Sequence, residues 1–221
     1  EITNPFGGTV NLNFWRWGAF VPLVQLLVFS WLMGMMYTTK LLDGLDGLVA
    51  GLTAIGGLMI FFLANSQKFY QPDIALMALF FSAANLGFLI FNFHPAKIFL
   101  GEGGSLMSGF VLGFLAIVAG GKIATTLLVM GIAALDVMMV IARRVRRGQS
   151  FWQADAGHLH HRLLALGFSQ RQVVLFFYCL AAGFGLLTLF LQSRQKLVAL
   201  VILAILAIVG SAWIEYKNNR K

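Results

Sequence analysis

Charge is scarce in this sequence. Only 11% of its 221 residues are Asp, Glu, Lys or Arg, where an ordinary soluble domain carries about 25%. Hydrophobic residues make up 59%, and mean hydropathy is +0.84. No soluble fold hides that much apolar surface, so lipid must be part of the solvent. Cysteine is almost absent. Cys179 stands alone in an apolar run, which excludes an intramolecular disulfide and removes any sign of an oxidising compartment. The sequence opens at Glu1 without a basic segment, a short apolar stretch and an A-x-A site, so no signal peptide is expected. Internal repeats and low-complexity segments are also missing. Acidic residues number eight against 16 Lys and Arg, a net charge of +8. The basic residues flank apolar runs and form no stripe on a polar domain. That speaks against nucleic acid as a partner and for the positive-inside bias of membrane proteins.

What is present is a series of apolar runs. A helix crosses a bilayer with roughly 20 apolar residues. Candidate spans lie at about 18–39, 45–64, 74–92, 104–120, 123–142, 172–192 and 196–215. The expected fold is all-α, a polytopic transmembrane bundle of about seven spans forming one domain over residues 1–221. The one long linker, 143–171, is polar, basic and rich in histidine. If it faces the cytoplasm, that side also holds Lys40, Lys97, Arg143, Arg144, Arg146, Arg147, Arg162, Arg171, Lys217, Arg220 and Lys221. The other side holds Arg16, Lys68, Lys122, Arg194 and Lys196. Eleven against five sets the orientation, with the N-terminus outside and the C-terminus inside. The segments 40–47, 93–104 and 143–171 then share the cytoplasmic side. They carry Asp43, Asp46, Glu102 and Asp155 and all four histidines, His94, His158, His160 and His161.

Three motifs carry the candidate chemistry. In the run from Lys40 to Gly51, Asp43 and Asp46 are three apart and share a face if the segment is helical. They read as a carboxylate pair for a polar substrate or a metal, or else as helix caps with glycines for close packing. The run Asn92-Phe-His-Pro-Ala-Lys97-Ile-Phe99 leads into Gly101-Glu102-Gly103-Gly104-Ser105. Glycines and a serine opening a helix offer free N–H groups and a positive dipole end to a phosphate. Glu102 beside them has the oxygen chemistry that Mg²⁺ prefers. The plainer reading is a glycine-rich turn with a capping serine. The third motif is His158-Leu-His160-His161-Arg162, preceded by the Arg143–Arg147 cluster. With no cysteine nearby, a structural zinc site is disfavoured, and binding of diphosphate or sugar by His and Arg is preferred. The arginine cluster reads mainly as a solvated loop meeting anionic headgroups. Asp136 lies inside a span, where a charge is a functional hypothesis by default; pairing with Arg143 or another neighbour is the alternative.

Together LLDGLDGLVAG at 41–51, NFHPAKIFLGEGGS at 92–105 and HLHHRL at 158–163 resemble the polyprenyl-phosphate N-acetylhexosamine-1-phosphate transferase family. The H-x-H-H-R form is similar to the undecaprenyl-phosphate GlcNAc-1-phosphate branch more than to the branch acting on UDP-MurNAc-pentapeptide. The resemblance implies transfer of a sugar-1-phosphate, GlcNAc-1-phosphate in that branch, from a UDP-sugar to undecaprenyl phosphate with release of UMP. This would be the first lipid-linked step of cell-envelope polysaccharide synthesis. It implies Mg²⁺ or Mn²⁺ as cofactor, UDP-sugar, polyprenyl phosphate and the membrane as partners, a homodimer, and a bacterial plasma membrane with the active face cytoplasmic. It assigns Asp43, Asp46 and Glu102 to catalysis, with Glu102 at the family's metal-binding Asp. Lys40, Asn92, Lys97, Phe99, His158, His160, His161 and Arg162 become substrate-binding residues, Phe99 stacking on uracil. Three departures accompany it. Lys40 replaces the family's usual Asn, and an ammonium cannot ligate a metal. Glu102 is one methylene longer than Asp. The family's Asp-Asp pair in an earlier loop, and three or four further spans, are expected upstream in a longer polypeptide. A degenerate membrane module binding lipid or partner proteins is the competing reading. A transporter would place its polar groups near the midplane instead.

Overall fold

The computed structural model describes residues 2–3, 9–10, 21–67, 69–120, 122–146, 148 and 158–218. Arg147 and Asp155, like Glu1, Arg16, Lys68, Arg220 and Lys221, lie outside the described residues. A two-residue antiparallel ladder, β1 (Ile2–Thr3) with β2 (Thr9–Val10), opens the chain. Among the described residues eight helices follow: α1 (Pro22–Leu42), α2 (Leu48–Ala64), α3 (Pro72–Asn92), α4 (Gly101–Val118), α5 (Ile123–Arg146), α6 (Leu159–Ala165), α7 (Gln170–Phe190) and α8 (Ser193–Asn218). Among the described residues, six helices (α1, α3, α4, α5, α7 and α8) are long and apolar enough to cross a membrane. The apolar α2 is shorter, at 17 residues. The expected bundle of about seven spans is therefore present, and the protein is a multi-pass membrane protein. Helix α6, only seven residues long, is an additional element in the polar linker.

Local sequence sets the helix ends. Pro22 and Pro72 open α1 and α3, where the missing N–H costs nothing. Ser169 and Gln172 form a reciprocal capping box at the start of α7. The segment 43–47 is a turn and not a helical continuation, so Asp43 and Asp46 do not share a helix face as their spacing predicts. Gly47 adopts a left-handed conformation (φ +82°), open to glycine at little cost, and this breaks the helix before α2. The other revision is at 143–146: Arg143 and Arg144 continue α5, and Arg144 is buried instead of solvated.

Helix α2 is the axis of the bundle. Thirteen of its 17 residues are buried, against α3, α4, α5 and α7. Small residues bring the backbones together, as lipid offers no hydrophobic drive between helices. A Cβ on Gly57 would sit 2.3 Å from Ser82 Oγ on α3, and one on Gly109 of α4 would sit 2.6 Å from the Met35 carbonyl of α1. Trp31 Nε1 donates to the Gly113 carbonyl at 2.9 Å, pinning α1 to α4 one turn further on. Within the α2–α3 contact, Thr53 Oγ1 donates to Asn85 Oδ1 at 3.1 Å. Large apolar side chains such as Phe80, Ile90 and Phe190 stay exposed on the outside, as a lipid-facing surface requires.

Candidate functional site

The α1–α2 turn, the 93–100 loop and α6 converge at one end of the bundle. Asn92, at the end of α3, is the brace between the first two. Its Oδ1 accepts the Gly47 N–H at 3.0 Å, and its Nδ2 donates to the Ile98 carbonyl at 2.9 Å. His94 Nδ1 lies 2.8 Å from Asp46 Oδ2, and the Ala96 N–H donates to the same oxygen at 3.2 Å. Arg171 Nε, at the start of α7, donates to the His94 carbonyl at 2.9 Å. From the middle of α7, the Tyr178 hydroxyl donates to the Gly47 carbonyl. Between these elements lies a cleft of about 270 Å³, lined by Asp43, Gly44, Leu45, Asp46, Asn92, Phe99, Leu100 and Gly101.

The two aspartates have separate roles in this geometry. Asp46 is bonded to the 93–100 loop and fixes it. Asp43 stands at the cleft's open rim, where partial burial raises its carboxyl above the usual carboxylate range. Phe99, 76% exposed, presents its ring at the mouth. Lys97 is exposed and does not line the cleft. Glu102, in the first turn of α4, forms an ion pair with Lys40, in the last turn of α1.

The histidine motif reaches the same place through a buried anchor. Asp136, 3% exposed, accepts from the Leu159 N–H at 2.9 Å, and its Oδ2 lies 2.9 Å from His158 Nδ1. A carboxylate only accepts, so Nδ1 carries the proton and Nε2 is the free nitrogen of His158. Asp136 thus pairs with the start of α6. His158 and His160 stack with ring centroids 5.5 Å apart, and His160 meets His161 at 4.3 Å. His160 Nε2 packs against Gly44: a Cβ there would lie 3.0 Å from it. That nitrogen is buried and makes no hydrogen bond among the described residues. Burial, with His161 and His158 adding to it, pulls the His160 ring down to about 4. Arg162 Nη1 donates to Ser211 Oγ on α8 at 3.3 Å, joining the motif to the last helix.

The carboxylates by the cleft bear on the anticipated metal. Among the described residues, no three His, Cys, Asp or Glu gather closely enough to hold an ion. The Glu102 carboxylate faces Lys40, and one oxygen of Asp46 is committed to His94 and Ala96. His94, Tyr178 and Arg171 carry no role in the motifs read from the sequence. Their partners lie 48, 131 and 77 residues away, and no local pattern announces such pairs.

Comparison with known proteins places the chain in a family. Residues 2–120 match the family model for glycosyl transferase family 4. A probable undecaprenyl-phosphate N-acetylglucosaminyl 1-phosphate transferase of Bacillus subtilis is 36% identical over 188 residues, 82% of this chain and 52% of that protein. The decaprenyl-phosphate N-acetylglucosaminephosphotransferase of Mycolicibacterium smegmatis is 34% identical over 83% of this chain and 52% of its own length. A phospho-N-acetylmuramoyl-pentapeptide-transferase of Moorella thermoacetica is 35% identical over 83% of this chain and 57% of its own. The chain spans about half the length of the curated relatives it matches. With a family model covering more than half of its residues and relatives aligned across both the carboxylate and histidine segments, the chain belongs to glycosyl transferase family 4.

Proposed function

We propose that the polypeptide containing this chain transfers a hexosamine-1-phosphate, GlcNAc-1-phosphate in the closest reading, from a UDP-sugar to a polyprenyl phosphate at the cytoplasmic face of a bacterial plasma membrane. One observation carries the reading. Three polar segments, separated by up to about 120 residues of mostly apolar chain, meet at a cleft where carboxylates, histidines and a glycine-opened helix stand together. That position suits a reaction joining a water-soluble donor to an acceptor held in lipid.

In the proposed reaction, a phosphate oxygen of the lipid attacks the β-phosphorus of the donor. The bond from that phosphorus to the oxygen bridging to the α-phosphate breaks, and UMP leaves with the bridging oxygen. The product is a polyprenyl-diphosphate sugar. Such transfers depend on positioning and charge stabilisation more than on covalent chemistry. Asp43 is the candidate base for a lipid phosphate that arrives protonated, since its raised carboxyl is closer to the pKa of the group it must relieve. Phe99 offers a ring for the uracil. His161 is a candidate donor to phosphate or sugar, the free Nε2 of His158 is a candidate acceptor from a sugar hydroxyl, and α6 is held in place by Asp136. Mg²⁺, held by one or two carboxylates and the donor's phosphates, would supply further charge neutralisation, and no step above depends on it.

The test is transfer of radiolabelled sugar phosphate from UDP-GlcNAc to undecaprenyl phosphate by the full-length polypeptide in membranes, with Mg²⁺ present. Label is expected in the lipid fraction, reversed by added UMP and reduced at least about 100-fold in Asp43→Asn, the usual scale for loss of a general base. No label from UDP-GlcNAc or other UDP-sugars, with protein shown to be folded, would leave a non-catalytic membrane module.

A further inference from the structure

The Lys40–Glu102 pair bears on what holds positive charge at the cleft. Glu102 follows Gly101, which lines the cleft, and the Asp43 N–H bonds the Lys40 carbonyl at 3.3 Å. The pair therefore stands beside residues that line the cavity, without lining it itself. Its residues come from different helices, 62 positions apart. Each side chain complements its own helix: Lys40 sits by the negative end of α1, and Glu102 by the positive end of α4. The pair is open to solvent, at 37% and 66% side-chain exposure, so it can meet a ligand. An ammonium has three N–H donors, and a single contact with Glu102 leaves donors to spare.

We propose that Lys40 occupies the cation position at Glu102, so that this carboxylate takes the chain's own ammonium and not a divalent ion. The assignment rests on the reading of function above, because it specifies which charge faces the anionic ligand there. The physical reason is exclusion. A divalent cation bound to Glu102 would come within about 4 Å of the ammonium. Even with the screening of bulk water, repulsion at that distance weakens binding about thirtyfold. Lys40 would have to swing away and leave its partner before an ion could enter. A fixed single charge gives the rim a permanent donor for a phosphate oxygen, independent of the concentration of free metal.

The experiment titrates Mn²⁺ into the full-length polypeptide in phosphatidylcholine nanodiscs, without nucleotide, and reads bound ion by electron paramagnetic resonance. Lys40→Met and Lys40→Asn should each create a site at least about thirtyfold tighter than any in the unaltered protein. That site should vanish when Glu102→Gln is added. Lys40→Arg, which keeps the charge, should behave like the parent. Thermal unfolding of each variant shows that it is folded, and two neutral replacements guard against one that is not. A Glu102-dependent Mn²⁺ site in the unaltered protein overturns the inference, as does failure of both neutral variants to gain one. The transfer assay decides separately: a protein that transfers sugar phosphate and also binds Mn²⁺ at Glu102 keeps the function and defeats this assignment. A protein without transfer, whose neutral variants gain the ion, does the reverse.

Discussion

Gly51 and His160 show how single residues set the cleft. A Cβ added at Gly51 would lie 2.0 Å from Cζ of Tyr178, a rigid ring whose hydroxyl holds the Gly47 carbonyl. Gly51→Ala must push that ring away and release the turn carrying Asp43 and Asp46. Overpacking of this kind costs about 1–3 kcal/mol, so the thermal midpoint in detergent should fall by several degrees, with a larger proportional loss in transfer. Tyr178→Phe should keep the packing and lose only the bond to the turn. His160 makes a prediction with a definite sign. Its ring is pulled from 6.5 to about 4 by burial, so the folded protein binds its proton less readily than the unfolded chain. The stabilising contribution is complete above about pH 6.5 and is lost as pH falls from there through 4. Between pH 7.5 and 5 the loss is on the order of 2 kcal/mol. Thermal unfolding of the parent and of His160→Leu at the two pH values checks this: the variant should show the smaller drop. An equal drop in both would mean that the acid sensitivity lies elsewhere.

At the level of elements, the cleft end depends on packing deep in the bundle. Gly109 and Gly113, four residues apart on α4, let it lie against α1, and Thr39, beside Lys40, touches that contact. A Cβ at Gly109 would come 2.2 Å from Thr39 Oγ1 and 2.6 Å from the Met35 carbonyl, a backbone atom that cannot rotate aside. Gly109→Ala should therefore separate α1 from α4, destabilise by about 2 kcal/mol and weaken the Lys40–Glu102 contact. Gly87→Ala, which meets nothing within 4 Å, is the control and should leave the midpoint almost unchanged. An equal effect from both substitutions would refute close packing as the cause. The same elements show what the sequence could and could not reveal. Apolar runs longer than a bilayer's thickness leave little choice of structure, so the helices were legible to within a few residues at most ends. The turn at 43–47 was less so: spacing of three reads as helical, and only the backbone shows that Gly47 stops the helix before it forms. The partner of Asp136 was unreadable because the pair joins a span to a seven-residue helix 22 positions later.

For the whole molecule, charge asymmetry predicts the side on which the cleft lies. The lysines and arginines expected on the cytoplasmic side outnumber the others eleven to five. The structure gathers Lys40, His94, Glu102 and Arg171 around one end. At other turns of the bundle, Lys122 lies over the Phe69 ring, and Lys196 donates to Thr125. A donor made in the cytoplasm can reach the cleft only if the first end faces inward, which the positive-inside rule favours. Cysteine scanning can decide this, with Cys179, the one thiol of this sequence, and any thiol elsewhere in the full-length polypeptide replaced. In a Cys179→Ala background, Lys97→Cys tags the exposed loop by the cleft, and Ser193→Cys tags the exposed start of α8. A membrane-impermeant maleimide added to intact cells should label the Ser193→Cys protein and spare the Lys97→Cys protein until the membrane is opened, when both should react to a similar extent. The inverse pattern would turn the carboxylates and histidines away from any cytoplasmic nucleotide. It would also set the basic residues against the bias that predicts their side, and the proposed reaction could not proceed at this face.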